Sequence, residues 1–153
     1  MTLDETLLQK LAKWRFHNGR ETLEAEADSV KVRVAADCAD QIGCRVWEVS
    51  LTRPEPAAPL KDRAQSLATR ASGLLEALRL LEIDEEGRTA LLRSDRPTVR
   101  DGKLGYYEVL LQGNGASSVR RYQAAANAGR REQVGFNLTH ETLGKLVSDL
   151  AAC

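Results

Sequence analysis

The sequence predicts a single α+β domain, residues 1–153, in which a mostly antiparallel sheet of about five to seven strands packs against three helices. Three observations carry this prediction. Apolar residues recur at helical spacing near both ends and once in the middle of the chain. Several segments between them alternate apolar and charged residues, as half-buried strands do. The length of 153 residues, with 42% hydrophobic and 29% charged residues, is typical of one folded domain with its own core.

Helices are predicted at the N-terminus, in the centre and at the C-terminus. The first begins at Thr2-Leu3-Asp4-Glu5, which has the pattern of a capping box, and Asn18-Gly19 is expected to end it. The central amphipathic helix follows the proline-rich stretch 53–59, because proline suits the first turn of a helix. Its apolar positions are Leu60, Ala64, Leu67, Ala71 and Leu74. Thr139 is the expected cap of the last helix, whose apolar stripe is Leu143, Leu146, Val147 and Leu150.

The first strands are predicted from alternation between residues 22 and 52. The apolar residues of this segment switch from odd to even positions at Asp28-Ser29, which indicates a bulge or a tight turn. We favour a bulge because Asp-Ser is a poor two-residue hairpin turn. A further strand covers residues 45–52, with Trp47, Val49 and Leu51 on one face. Residues 73–92 form either a hairpin or an extension of the central helix, and the turn-like residues 84–87 favour the hairpin. Residues 94–105 are expected to form a loop, and residues 132–138 the last strand.

A glycine-rich stretch, QGNG at residues 112–115, raises the question of a phosphate-binding loop. Such a loop needs a lysine followed by a serine or threonine after its glycines, and this stretch lacks that lysine. Asn114-Gly115 instead predicts a type I′ hairpin turn. That register places Glu108 opposite Arg121 and Tyr107 opposite Tyr122, and it puts Arg120 on the apolar face of its strand. Along the strand before the turn, one face carries Tyr107, Val109 and Leu111, and the other carries Tyr106, Glu108 and Leu110. We therefore expect this stretch to reverse the chain and to hold no phosphate.

The net charge of zero conceals a basic middle section. Residues 1–87 carry 12 basic and 16 acidic side chains, whereas residues 88–132 carry 9 basic and 4 acidic ones. Within this section the sequence predicts an interaction or anion-binding surface formed by Arg120, Arg121, Tyr122, Arg130 and Arg131. Arginines beside tyrosines can bind single-stranded nucleic acid, but the sequence has no matching motif and the whole chain is not basic. Because arginine is enriched at protein interfaces, we favour a protein partner.

No catalytic, cofactor-binding or metal-ligating residues are predicted. The two histidines, His17 and His140, have no ligand at metal-binding spacing on their own elements. The three cysteines, Cys38, Cys44 and Cys153, are expected to be reduced thiols, although Cys38 and Cys44 are close enough in sequence to approach each other across the loop between them. The first residues carry two acids and no apolar run of leader length, and no segment has the roughly 20 apolar residues that a membrane span needs. These observations predict a cytoplasmic protein without a membrane segment.

In size and element order, the predicted succession of helix, strands, helix, strands and helix is similar to the small dimeric chaperones of bacterial type III secretion. We therefore expect a non-catalytic protein-interaction or assembly domain that is chaperone-like and associates with itself or with a protein partner. Two alternatives remain open. One is a nucleic-acid-binding module that uses the arginine-rich strands, and the other is a small-ligand-binding protein or enzyme with a pocket between helix and sheet.

Overall fold

A computed structural model of the protein describes residues 1–70, 74, 76–125 and 129–153. The helices are α1 (Leu3–Lys13), α2 (Leu60–Arg70) and α3 (His140–Ala151). The first strands are β1 (Glu21–Ala27), β2 (Val30–Ala39), β3 (Gly43–Thr52), β4 (Leu78–Asp84) and β5 (Thr89–Ser94). They are followed by β6 (Thr98–Arg100), β7 (Lys103–Gln112), β8 (Ser117–Ala125), β9 (Arg131–Val134) and β10 (Phe136–Thr139). Ala71 and Gly73, which the sequence places in or after the central helix, lie outside the described residues.

The strands form one antiparallel sheet in the order β1-β2-β3-β8-β7-β5-β4, and the predicted α+β class is confirmed. Off this path, β10 pairs with β3, β6 with β7, and β9 with β8. The described residues form ten strands, more than the predicted five to seven. Two predicted strands are each divided in two, and β6 lies in a segment that was expected to be a loop. None of the helices in the described part of the chain is long and apolar enough to cross a bilayer.

Asp28-Ser29 forms a two-residue turn, so the favoured bulge was wrong. The φ angles of Asp28 and Ser29 are 52° and 65°, and the flanking residues Ala27 and Val30 face each other. Positive φ at both central residues is the requirement of a type I′ turn, and aspartate tolerates it better than most residues. The switch of the apolar residues from odd to even positions therefore marks the boundary between β1 and β2.

The helix ends follow from local hydrogen bonds. Thr2 and Glu5 form the predicted capping box, with the Glu5 amide donating to Thr2 Oγ1 at 3.4 Å and the Thr2 amide donating to Glu5 Oε2 at 3.0 Å. The Thr142 amide donates to Thr139 Oγ1 at 3.1 Å, as expected for the cap of α3. The first helix ends at Lys13, earlier than the predicted stop at Asn18-Gly19.

All three helices pack on one face of the sheet, which we call the inner face. Helices α1 and α3 contact each other and the β1–β3 side, whereas α2 contacts β4, β5 and β7. Every second residue of the central strands is buried against them, such as Val32, Val34, Leu92, Val109 and Leu111. The opposite face, which we call the outer face, carries the alternate residues.

The loop between β7 and β8 has three residues, not two. The Gln112 amide donates to the Ala116 carbonyl oxygen at 2.9 Å, and of Gly113, Asn114 and Gly115 only Gly115 has a positive φ, 101°. A type I′ turn would need positive φ at Asn114 as well, so the predicted register was wrong by one residue.

Candidate functional site

Correcting the register changes which residues face each other on the outer face. Tyr106 lies opposite Tyr122, and Glu108 lies opposite Arg120. The predicted alternation along β7 is retained, because Tyr107 is buried on the inner face while its two neighbours point outward. The two strands thus share an aromatic pair and an opposite-charge pair, as predicted. In the aromatic pair Tyr106 replaces the predicted Tyr107, and in the charged pair Arg120 replaces the predicted Arg121.

The outer face carries a network of charged and aromatic side chains, which we call the outer-face cluster. Arg120 Nε lies 2.5 Å from Glu48 Oε2 on β3. Glu108 accepts hydrogen bonds from two arginines, Arg131 Nη1 at 2.5 Å and Arg93 Nε at 3.1 Å. The members of the cluster are Glu48, Arg93, Tyr106, Glu108, Arg120, Tyr122 and Arg131.

Aromatic rings connect the ion pairs of this cluster. The Arg131 guanidinium lies 3.8 Å from the centre of the Tyr122 ring, and that of Arg93 lies 5.0 Å from the centre of the Tyr106 ring. The two tyrosine rings are 6.1 Å apart. Cation–π contacts and tilted ring pairs of this kind each contribute about 0.5–1 kcal/mol at exposed sites. The rings and guanidinium groups therefore hold one another in a defined arrangement.

Two arginines of the cluster, Arg120 and Arg131, keep their charge strongly. The hydrogen bond to Glu108 raises the pKa of Arg131, and a second one to the Tyr106 hydroxyl acts in the same direction. The Tyr122 hydroxyl and Glu48 raise the pKa of Arg120. Each of these partners stabilises the cationic form, so titration of these arginines plays no part at physiological pH.

A shallow cavity of about 470 Å³ lies within this surface. Glu48, Arg120, Tyr122 and Arg131 contribute to its wall, and Ser118 and Leu110 lie between the charged groups. Charges of both signs and hydroxyl groups therefore line one concave region of the sheet.

The five predicted surface residues do not form one site. Arg120, Tyr122 and Arg131 come together in the outer-face cluster, whereas Arg121 lies on the inner face. Arg130 is exposed just before β9. The sequence prediction missed Glu48, Arg93, Tyr106 and Glu108 as members of the cluster.

The Arg121 side chain is mostly buried among fixed partners. Its side chain is 14% exposed, and its Nη2 lies 3.2 Å from Oε2 of Glu76, whose side chain is 7% exposed. The Thr98 hydroxyl donates a short hydrogen bond to the same Glu76 oxygen. The guanidinium of Arg121 also lies 4.5 Å from the centre of the Tyr107 ring. A Cβ atom at Gly105 would come within 2.7 Å of Arg121 Nη2, so the absence of a side chain there makes room for the arginine.

The histidines and cysteines lie away from this cluster. All three cysteines are free thiols, with Cys38 exposed and Cys44 and Cys153 buried. The His140 amide donates to the Ile42 carbonyl oxygen, and His17 Nδ1 lies 3.6 Å from a Glu21 carboxylate oxygen. Among the described residues, no group of three or more histidine, cysteine, aspartate or glutamate side chains is arranged to hold a metal ion.

No protein-family model, curated protein or solved structure matches the chain. The resemblance to type III secretion chaperones therefore rests on size and on the order of the elements.

Proposed function

We propose that this chain is a non-catalytic protein-interaction domain that contacts its partner through the outer face of its sheet. The observation that carries this proposal is the outer-face cluster: seven charged and aromatic side chains that hold one another in place on a face without helices. Side chains that are already ordered lose less conformational entropy when a partner binds. Tyrosine and arginine are also the residues that most often dominate the energetics of protein interfaces.

The ion pairs favour a protein partner over nucleic acid. Arg120 is paired with Glu48, and both Arg93 and Arg131 are paired with Glu108. A phosphate backbone would have to displace these carboxylates or bind beside them, at a cost in repulsion. A protein surface that offers both signs of charge meets the same groups without this cost.

Self-association is one form of this proposal. A two-fold interface brings the same patch of two copies together, so each group must find a complementary group on the same surface. The cluster offers guanidinium, carboxylate and ring groups side by side, and these can pair with one another across such an axis. This form agrees with the chaperone-like assembly role that the element order suggests.

Native mass spectrometry of tagged protein, purified gently from its own host, tests the proposal. We expect a dimer or a heterocomplex with the wild-type chain. The double variant Tyr106→Ala/Tyr122→Ala removes both tyrosine rings of the outer-face cluster while leaving the buried core intact, so we expect it to lose most of the complex. The matched control is Trp14→Ala, which removes a half-buried ring at the end of α1 and should leave the complex intact.

Two results would overturn the proposal. A strictly monomeric wild-type chain at all accessible concentrations, with nothing retained, leaves no interaction to explain. A complex that survives the double tyrosine substitution but is lost in the control variant would assign the contact to the helical side of the molecule.

A further inference from the structure

The inner face has an open cleft that the helices do not fill. It has a volume of about 610 Å³ and lies where the middle of β7 and β8 faces β6, β10 and the first turn of α3. This volume lies within the range of small-molecule sites. Arg100, Tyr107, Arg121, Phe136, Asn137 and Leu138 are among its lining residues.

The apolar part of this cleft is aromatic. The rings of Tyr107 and Phe136 are 5.3 Å apart and nearly perpendicular, and both residues are at most 5% exposed. Leu138, 7% exposed, continues this apolar wall. An edge-to-face pair fixed by burial forms a rigid surface against which an apolar or aromatic group can pack.

The polar part of the cleft is cationic. Arg100 and Arg121 both contribute to the lining, and no aspartate or glutamate is among the described lining residues. Glu76 balances the charge of Arg121, but Arg121 Nη1 has no hydrogen-bond partner among the described residues. Arg100 is exposed on β6 and, within the described part of the chain, has no carboxylate within 4.0 Å. The cleft therefore has a surplus of positive charge beside an aromatic wall.

We propose that this cleft binds an organic carboxylate that carries an aromatic or branched apolar body. The apolar body packs on Tyr107 and Phe136, while the carboxylate accepts hydrogen bonds from the guanidinium group of Arg100. Hydrogen bonds between a guanidinium group and a carboxylate are stronger than those between neutral groups, and a planar carboxylate matches the geometry of arginine. A free aromatic acid and the C-terminal residue of a peptide share this chemistry.

NMR titration with naphthalene-2-carboxylate tests the proposal on the full chain. We expect saturable amide shift changes that centre on β6, the middle of β7 and β10. Naphthalene-2-carboxamide, which has the same ring without the charge, should bind at least about tenfold more weakly, equivalent to about 1.4 kcal/mol. The Arg100→Gln variant should lose the preference for the carboxylate. Arg96→Gln makes the same charge change at an exposed position outside the lining and should keep it.

A second titration distinguishes the two sources of the carboxylate. Acetyl-Ala-Phe with a free C-terminus, compared with its C-terminal amide, reports on a peptide end. If both acids bind, the cleft accepts the C-terminal carboxylate of a peptide as well as a free aromatic acid. If only the naphthoate binds, the ligand is a free acid.

The proposal is overturned if neither acid binds at millimolar concentration, or if acid and amide bind equally. It is also overturned if Arg100→Gln and Arg96→Gln behave alike. Because Arg100 has no ion pair in the described structure, its substitution should leave the fold intact. The double tyrosine variant of the outer face should bind the naphthoate normally, so failure of one proposal is distinguishable from failure of the other.

Discussion

Arg120 and Arg121 are consecutive residues of β8, yet they occupy opposite environments. Arg120 lies on the outer face, 46% exposed in its side chain, with Glu48 as its partner. Arg121 lies on the inner face, 14% exposed, against buried Glu76 and the Tyr107 ring. The same residue type and the same kind of ion pair therefore lie on an exposed surface on one side of the sheet and within the packing of the fold on the other. What separates them is the amount of water around each pair.

Alanine substitutions at these two positions should differ most in stability. Arg121→Ala leaves the buried carboxylate of Glu76 without its cation, so we expect a loss of about 3–5 kcal/mol in the free energy of unfolding. Arg120→Ala breaks an exposed pair and should cost about 0–1 kcal/mol. Urea unfolding of the two variants under identical conditions measures the difference. Equal losses would contradict the assignment of Arg121 to the interior.

Gly105→Ala tests how tightly Arg121 is held. The new Cβ atom would lie 2.7 Å from Arg121 Nη2, and the guanidinium is fixed by Glu76 and Tyr107. We expect a cost of about 1–3 kcal/mol, as for other overpacked sites. Gly144→Ala in α3 is the matched control, since its Cβ would make ordinary 3.5 Å contacts with Leu8 of α1. Alanine should stabilise that helix by about 0.5–1 kcal/mol, so the two substitutions are expected to differ in sign.

Glu108→Gln probes the outer-face network without removing its packing. Glu108 accepts hydrogen bonds from both Arg93 and Arg131, and its side chain is only 12% exposed. Since both partners reach solvent, we expect a loss of about 1 kcal/mol at low salt. The loss should shrink as added salt screens the wild-type ion pairs. A loss that does not change between low and high salt would mean that packing, not charge, accounts for the role of Glu108.

Thiol reactivity gives the smallest predicted effect, and it again compares an exposed residue with a buried one. Burial raises the pKa of the Cys44 thiol to about 11, with the nearby Asp40 carboxylate acting in the same direction. At pH 8, iodoacetamide should modify exposed Cys38 readily and leave Cys44 unmodified until the protein unfolds. Mass spectrometry of the digested protein measures both sites.

The raised pKa of Cys44 also makes the free energy of unfolding depend on pH. The folded pKa of Cys44 lies above its ordinary value of 9.0, so its contribution to stability is complete below about pH 9. As the pH rises from about 9 to 11, the unfolded chain loses the proton first and the contribution declines. Cys44→Ala should abolish this decline, and an unchanged pH dependence in that variant would exclude Cys44 as its source.

Local patterns predicted the elements but not how they combine. The capping box at Thr2, the cap at Thr139 and the alternation of Tyr106, Tyr107 and Glu108 all depend on neighbours within a few residues, and all are confirmed. The register of β7 against β8 depended on one loop residue, Gly113, and the sequence favoured the shorter turn. A one-residue error moved every cross-strand partner in that hairpin.

The site was predicted less well because its members come from distant strands. Glu48 meets Arg120 only because β3 lies beside β8, and sequence alone does not specify that order. Arg121 was predicted as a surface residue, and its burial depends on Glu76, 45 positions earlier in the chain. The sequence did predict Glu108 as a cross-strand partner, but the incorrect register paired it with Arg121 instead of Arg120.

Hydroxyl-radical footprinting of the tyrosines, in the free protein and in its complex, tests the central claim most directly. Tyr106 and Tyr122 are half-buried on the outer face, whereas Tyr107 is buried in the free protein. We predict that complex formation strongly protects Tyr106 and Tyr122 from oxidation and leaves the low oxidation of Tyr107 unchanged. Equal oxidation of Tyr106 and Tyr122 in the free and bound protein would contradict the assignment of the outer face as the contact surface.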